Sequence, residues 1–207
     1  MKRLLLIFIA FWSIPFAVFA QKDIFLSPKF NELTKKHKVL AIIPFKSVLD
    51  LNTKQNADSE EIEGKAVQTG LENYFNQRKK RKKFTVEFQE IKTTNQILEE
   101  QKINYDDIGL YSSKELAKIL GVDGIISGSI QLNVLLSQGI EKNSGLGDFL
   151  FFDSDFGRIA VKISDGITGK LLWKYDKAIT RKGGKNTIEF IDSMMKKASR
   201  NFPYDRN

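Results

Sequence analysis

The chain has 207 residues, 42% hydrophobic and 11% aromatic, with 4 prolines and a formal charge of +8; such a composition closes one sizeable core and excludes a disordered tail, a collagen-like repeat and a multi-domain enzyme. Zero cysteines exclude a disulfide scaffold, a cysteine nucleophile, thiolate-bound zinc and an iron–sulfur cluster. A single histidine, His37, leaves little from which to build other metal sites or an acid–base relay.

Residues 1–20 read as a secretory signal peptide. Lys2 and Arg3 precede the apolar run LLLIFIAFW, and Val18-Phe19-Ala20 puts small residues at the two positions a signal peptidase reads. The apolar segment is shorter than the ~20 residues that span a bilayer and is broken by Ser13 and Pro15. Cleavage after Ala20 is therefore expected, giving an exported, periplasmic protein that starts at Gln21, with no cysteine to carry a lipid anchor. Loss of Lys2 and Arg3 lowers the formal charge to +6, from 31 Lys and Arg against 25 Asp and Glu.

In the mature chain, Ser27-Pro28 is expected to open a helix within an N-terminal helical segment, 21–37. The run KVLAIIPF over 38–45 suits a strand buried on both faces, and 46–57 reads as a polar loop. From Asp58, apolar residues recur at three- and four-residue steps (Ile62, Ala66, Val67, Leu71, Tyr74, Phe75), which predicts a helix packed through one stripe. It ends in the basic run Arg78, Lys79, Lys80, Arg81, Lys82 and Lys83, which equals the whole surplus charge. Export makes nucleic acid a poor partner for these cations. They read as a solvated helix end favoured by the helix dipole, or as a contact for anionic lipid or an acidic partner.

Alternation over 84–88 predicts a strand with one wet face, and Thr94 a cap for the helix that follows. Ser112 and Glu115 form a capping box for a helix that Gly121 stops. In the next strand, over 122–132, Gly124 and Gly128 imply close approach of another backbone or a bulge. Residues 133–157 form an irregular insertion holding Phe149, Leu150, Phe151 and Phe152; this apolar group either folds back on the core or contacts a membrane, a partner or a second copy. Two alternating runs around the turn at 165–169 predict a β-hairpin, and the residues from about Asn186 through Ile188, Ile191, Met194, Met195 and Ala198 a last helix. The whole is expected to be one α/β domain over 38–202, a mixed sheet of about five strands packed with helices and ending in the hairpin and a helix.

The chemical inventory is poor. His37 sits in a basic context and reads as a surface residue; no GxSxG, GxxxxGK[ST] or GxGxxG is present, so neither a serine triad nor a nucleotide cofactor is expected. Asp153, Asp155 and Gly157 resemble the front of a calcium loop but lack its later ligands, and read as an aspartate-rich turn. The adjacent pairs Glu60/Glu61, Glu99/Glu100 and Asp106/Asp107 read as solvated.

Taken together, KVLAIIPF, a long helix, ELAKILGVDGIISGSIQ and VKISDGITGKLLWKYD resemble the CsgG-like family of exported bacterial envelope proteins, the group of CsgG, LpoB and the N-terminal domain of TolB. The residues that match are Gly121 and Gly124 at the helix-to-strand turn, Gly128 in the strand, and Asp165, Gly166, Thr168, Gly169 and Trp173 in the hairpin. The resemblance implies no catalytic residue and no cofactor. It implies a non-enzymatic accessory or scaffold that binds another envelope component and works near the outer membrane, either singly or as a homo-oligomer. The short insertion does not suit a channel, whose strands need ~9–11 alternating residues. A rival reading is a small-ligand or glycan-binding protein that uses the cleft beside Ser127 and Ser129.

Overall fold

The computed structural model describes residues 23–50, 57–79, 84–139, 155–180, 184–198 and 202–205. The expected signal peptide, the cations Lys80, Arg81, Lys82 and Lys83, and the apolar group Phe149, Leu150, Phe151 and Phe152 lie outside the described residues.

The elements run β1 (Asp23–Leu26), α1 (Phe30–Leu33), β2 (Val39–Ile42), β3 (Lys46–Leu49), α2 (Ala57–Lys79), β4 (Glu87–Phe88), α3 (Ile91–Glu100), a 3₁₀ turn (Asp106–Leu110), α4 (Ser113–Leu120), β5 (Gly124–Leu132), β6 (Asp155–Asp165), β7 (Leu171–Thr180) and α5 (Thr187–Ala198). They build a mixed α/β domain on an open sheet of order β1-β7-β6-β5-β2-β4, with β3 also paired to β5. Strands β2 and β3 run parallel to β5, one after the other along the same edge, while β6 and β7 form the expected antiparallel hairpin.

Two short strands extend the five that were expected. Residues 23–26, placed in a helical segment by sequence, instead pair antiparallel with β7. Residues 46–49, read as loop, pair with β5. In both, four residues give too few alternations to signal a strand, and a partner more than eighty residues away supplies the hydrogen bonds. Conversely, only Glu87–Phe88 of the expected strand 84–88 is extended. Phe84 and Val86 are buried, because Phe84, Phe88 and Phe202 pack their rings around Phe75, with Phe88 stacked on Phe75 at 4.2 Å. Thr94 does not cap α3. That helix starts at Ile91, whose N–H donates to Glu72 Oε1 at 2.8 Å, and Thr94 is buried within it.

Helices α2 and α5 cover one sheet face through Val67, Leu71, Tyr74, Phe75, Phe190, Ile191, Met194 and Met195, all buried against β2, β5, β6 and β7. Ile62, expected in this stripe, is 55% exposed. Helices α3 and α4 cover the other face only over Ala41, Ile43 and Ile125. At the start of α4 the Ser112 side chain accepts from the Glu115 N–H at 3.3 Å, and the Ser112 N–H donates back to Glu115 Oε2 at 2.8 Å. The Ser112 hydroxyl and N–H hold the Glu115 carboxyl below its ordinary value. At the other end Gly121 takes φ 66° as the C-cap, where a side chain would be strained. Ser112→Ala is expected to lower stability by about 1 kcal/mol, read as a shift of the urea midpoint with an unchanged slope.

Candidate functional site

Past Ile125 the second sheet face changes character. Its next residues on β5 are Ser127, Ser129 and Gln131, and the register sets Lys162, Ala160 and Arg158 of β6 opposite them. The same face continues into Lys174 and Asp176 of β7, Phe25 of β1, and Lys46 and Val48 of β3. Lys46, Val48, Ser129, Gln131, Arg158 and Lys162 are exposed, and Ser127, Ala160 and Lys174 half-buried. Strands buried on both sides carry apolar residues at every position; here a parallel-type start at Gly124 to Ile126 turns into a one-sided strand with a polar face. Asp176 holds two of the cations, taking Lys174 Nζ at 3.1 Å and the Arg158 guanidinium. Lys46 and Lys162 meet no carboxylate among the described residues.

A cleft of about 490 Å³ opens at the step where the helical cover ends. Its floor is Ser127, Ser129, Lys46 and Lys162, and its wall is the segment from Tyr105 to Tyr111, with Pro44, Ser47 and Glu60 at one end. Tyr105 fixes that wall. Its hydroxyl donates to Phe45 O at 2.8 Å and accepts from the Ser47 N–H at 2.8 Å, so it ties the wall to the break between β2 and β3. Burial pushes its phenol above 10, against the opposing pull of the Ser47 N–H. Glu60, expected to be solvated, is turned toward β3, where Oε1 accepts from the Leu49 N–H at 3.1 Å. Tyr111, 37% exposed, stands at the lip.

His37 is no surface residue. Its side chain is 2% exposed, with Nδ1 2.6 Å from the Tyr204 hydroxyl and Nε2 2.9 Å from Asp165 Oδ1. The second Asp165 oxygen accepts from the Thr168 N–H at 2.6 Å and from the Thr168 hydroxyl. Burial pushes the Asp165 carboxyl up, but the Thr168 donors and His37 outweigh it and hold it below its ordinary value. Burial, with the nearby Asp165 and Asp123 carboxylates, pushes the Tyr204 phenol far above 10. The basic context Lys35-Lys36-His37-Lys38 concealed this, since Lys35 and Lys36 are solvated while the third side chain of the run turns inward.

The other residues singled out by sequence serve packing. Gly124 lies under Leu40 and the Ser164 carbonyl, and Gly166 lies against the Asp123 carbonyl. Gly128 lies against the Ala160 carbonyl and the Phe45 ring. Asp165, Gly166 and Gly169 shape the hairpin turn, where the Gly169 N–H donates to Asp165 O at 2.9 Å. Trp173 is fully buried, stacked on Tyr175 with ring centres 6.0 Å apart. Of the basic run, Arg78 turns back over the Tyr74 and Phe84 rings to pair with Asp205, and Lys79 pairs with Glu87. Arg78 thus belongs to the core's rim and is not a free cation. Asp155 opens β6 in place of the expected aspartate turn, and Gly157 follows at a bulge in its pairing with β7. No group of three metal-ligating side chains occurs among the described residues, and no helix among them is long and apolar enough to cross a membrane.

Sequence reasoning passed over Glu63, which is fully buried and accepts from the Ser137 N–H at 2.9 Å. Asp123, which the sequence placed only within the motif Leu120 to Gly124, accepts at Oδ2 from the Lys38 and Val39 N–H groups. The polar face itself was visible in principle, since Ser127, Ser129 and Gln131 alternate with Gly128, Ile130 and Leu132.

No family model matches the chain, and no curated protein matches it. Among solved structures it is similar to the LpoB C-terminal domain from Salmonella enterica, at 12% identity over 74% of this chain and 94% of that one, with a TM-score of 0.41. It is similar to lipoprotein GNA1162 from Neisseria meningitidis at 12% identity, 79% and 96% coverage and a TM-score of 0.46. It is also similar to the PelC dodecamer from Paraburkholderia phytofirmans at 10% identity, 77% and 86% coverage and a TM-score of 0.37. The link to the CsgG-like family remains one of motifs.

Proposed function

We propose that the chain is an exported, periplasmic, non-enzymatic accessory protein that binds another component of the bacterial envelope through the uncovered part of its sheet. The observation that carries this reading is the polar face running from Lys46 across Ser129 and Lys162, with its cleft at the edge of the helical cover. It offers donors and acceptors to a ligand, whereas the chain's one imidazole is enclosed between Tyr204 and Asp165 on other business. A proton carrier for turnover is thus not supplied to the cleft by His37. The motif resemblance points the same way. Phe149, Leu150, Phe151, Phe152 and the cations Lys80, Arg81, Lys82 and Lys83 are proposed as supplementary contacts to a partner, an anionic lipid surface or a second copy.

Photo-crosslinking in envelope preparations tests the reading. A crosslinker at Ser129 or Lys162 is expected to give a discrete adduct, and one at Asn73, exposed on α2, to give none. Equal labelling from all three positions, or labelling from Asn73 alone, removes the sheet face from the proposal. Adducts from position 150 decide the supplementary contact separately.

A further inference from the structure

We infer that the cleft beside β5 takes a carboxylate-bearing saccharide. The inference rests on the binding-module reading above and adds the chemistry of what is bound. The cleft's volume of about 490 Å³ falls within the roughly 300–1,000 Å³ of small-ligand pockets. Its floor presents two hydroxyls, Ser127 and Ser129, beside two ammonium groups, Lys46 and Lys162, that meet no carboxylate among the described residues. Amines of this kind make charge-assisted hydrogen bonds to a carboxylate. The wall supplies the opposite character, with Asp106 as acceptor and the part-exposed Tyr111 ring as an apolar surface. A ligand that suits both sides carries an acid group, several hydroxyls that donate, and C–H faces that lie on an aromatic ring.

An acidic peptide fits less well, for a topological reason. Peptides that bind a sheet commonly do so by adding a strand to a free edge. At the cleft, β5 is paired on one side with β2 up to Ile126 and with β3 from Ser129, and on the other with β6 throughout, so it is an interior strand with no free edge for a peptide to extend. Recognition there falls to side chains, and hydroxyl, amine and aromatic groups around a shallow cleft read a sugar.

The test is an amide-shift titration of the full mature chain with three probes: trigalacturonate, neutral maltotriose and triglutamate. Trigalacturonate is expected to bind and to shift the amides of Ser127, Ser129 and Lys162, with Lys46→Met and Lys162→Met each weakening it about tenfold. Both lysines are exposed, so the variants are expected to keep the parent melting temperature, and a binding loss then reports the contact itself. Equal binding of maltotriose overturns the role of the acid group, equal binding of triglutamate overturns the saccharide, and silence with all three overturns the inference. A discrete crosslink from Lys162 to an envelope protein alongside silent probes would leave the binding-module reading standing while removing the sugar.

Discussion

Gly128→Ala is expected to lower stability by about 3 kcal/mol or more. A Cβ at this position would lie 1.9 Å from the Ala160 carbonyl oxygen and 2.3 Å from the Phe45 ring. Neither neighbour can step aside cheaply. Ala160 belongs to β6, opposite Ser129 in a nine-residue register, so moving its carbonyl disturbs the longest uninterrupted pairing in the sheet. Phe45 is fully buried and sits under α2 at the break between β2 and β3. The measurement is urea unfolding followed by circular dichroism, with Ser129→Ala as control. That neighbouring side chain is exposed, and its loss is expected to stay within about 0.5 kcal/mol. A Gly128→Ala protein with the parent midpoint would mean that β5 and β6 are not packed as described.

The second large effect belongs to Asp165. Asp165→Ala is expected to cost about 3–5 kcal/mol, because it strands the His37 ring in a buried site. Asp165 is 1% exposed and His37 8% exposed, so water does not replace the lost oxygens. The pH dependence carries a sign at each end. The folded Asp165 carboxyl titrates below its unfolded value of 3.8; its contribution is complete above that value and is lost as pH falls below it. The folded Tyr204 phenol titrates above its unfolded value of 10; stability is intact below pH 10 and falls as the medium becomes more alkaline, because the unfolded chain ionises first. Tyr204→Phe is expected to lessen that alkaline fall, to which the raised Tyr105 and Tyr175 phenols also contribute, while leaving the acid limb, and Asp165→Asn to lessen the acid limb. Identical limbs in parent and variants would show that neither group is held as the geometry requires.

Elements that rest on local signals were legible from the amino acids. The capping box at Ser112, the stop at Gly121, the alternation of β6 and β7, and the stripe Val67, Leu71, Tyr74 and Phe75 each lie within a few residues of their own cause. What was missed depends on distant partners. Asp23 to Leu26 becomes a strand because β7 offers an edge, Lys46 to Leu49 because β5 continues past the end of β2, and Phe84 turns inward because Phe75 and Phe202 meet it. His37 is the sharpest case. Its sequence neighbours are lysines and its spatial neighbours an aspartate and a tyrosine more than a hundred residues away. The candidate site was half legible: Ser127 and Ser129 were noticed as small strand residues, but the cations beside them come from β3 and β6, whose register no local pattern fixes.

The enclosure of His37 has a temporal consequence. Its two partners stand 128 and 167 positions downstream, and β1 waits for β7 before it has anything to pair with. Chains whose contacts span such separations collapse slowly. During synthesis the opening segment therefore emerges with its binding surfaces unfilled, and it stays pliable until Phe202 and Tyr204 arrive to seat against Trp173 and Phe30. A chain whose first strand and single imidazole are held by residues beyond position 160 cannot close that end of the molecule until those residues have been made.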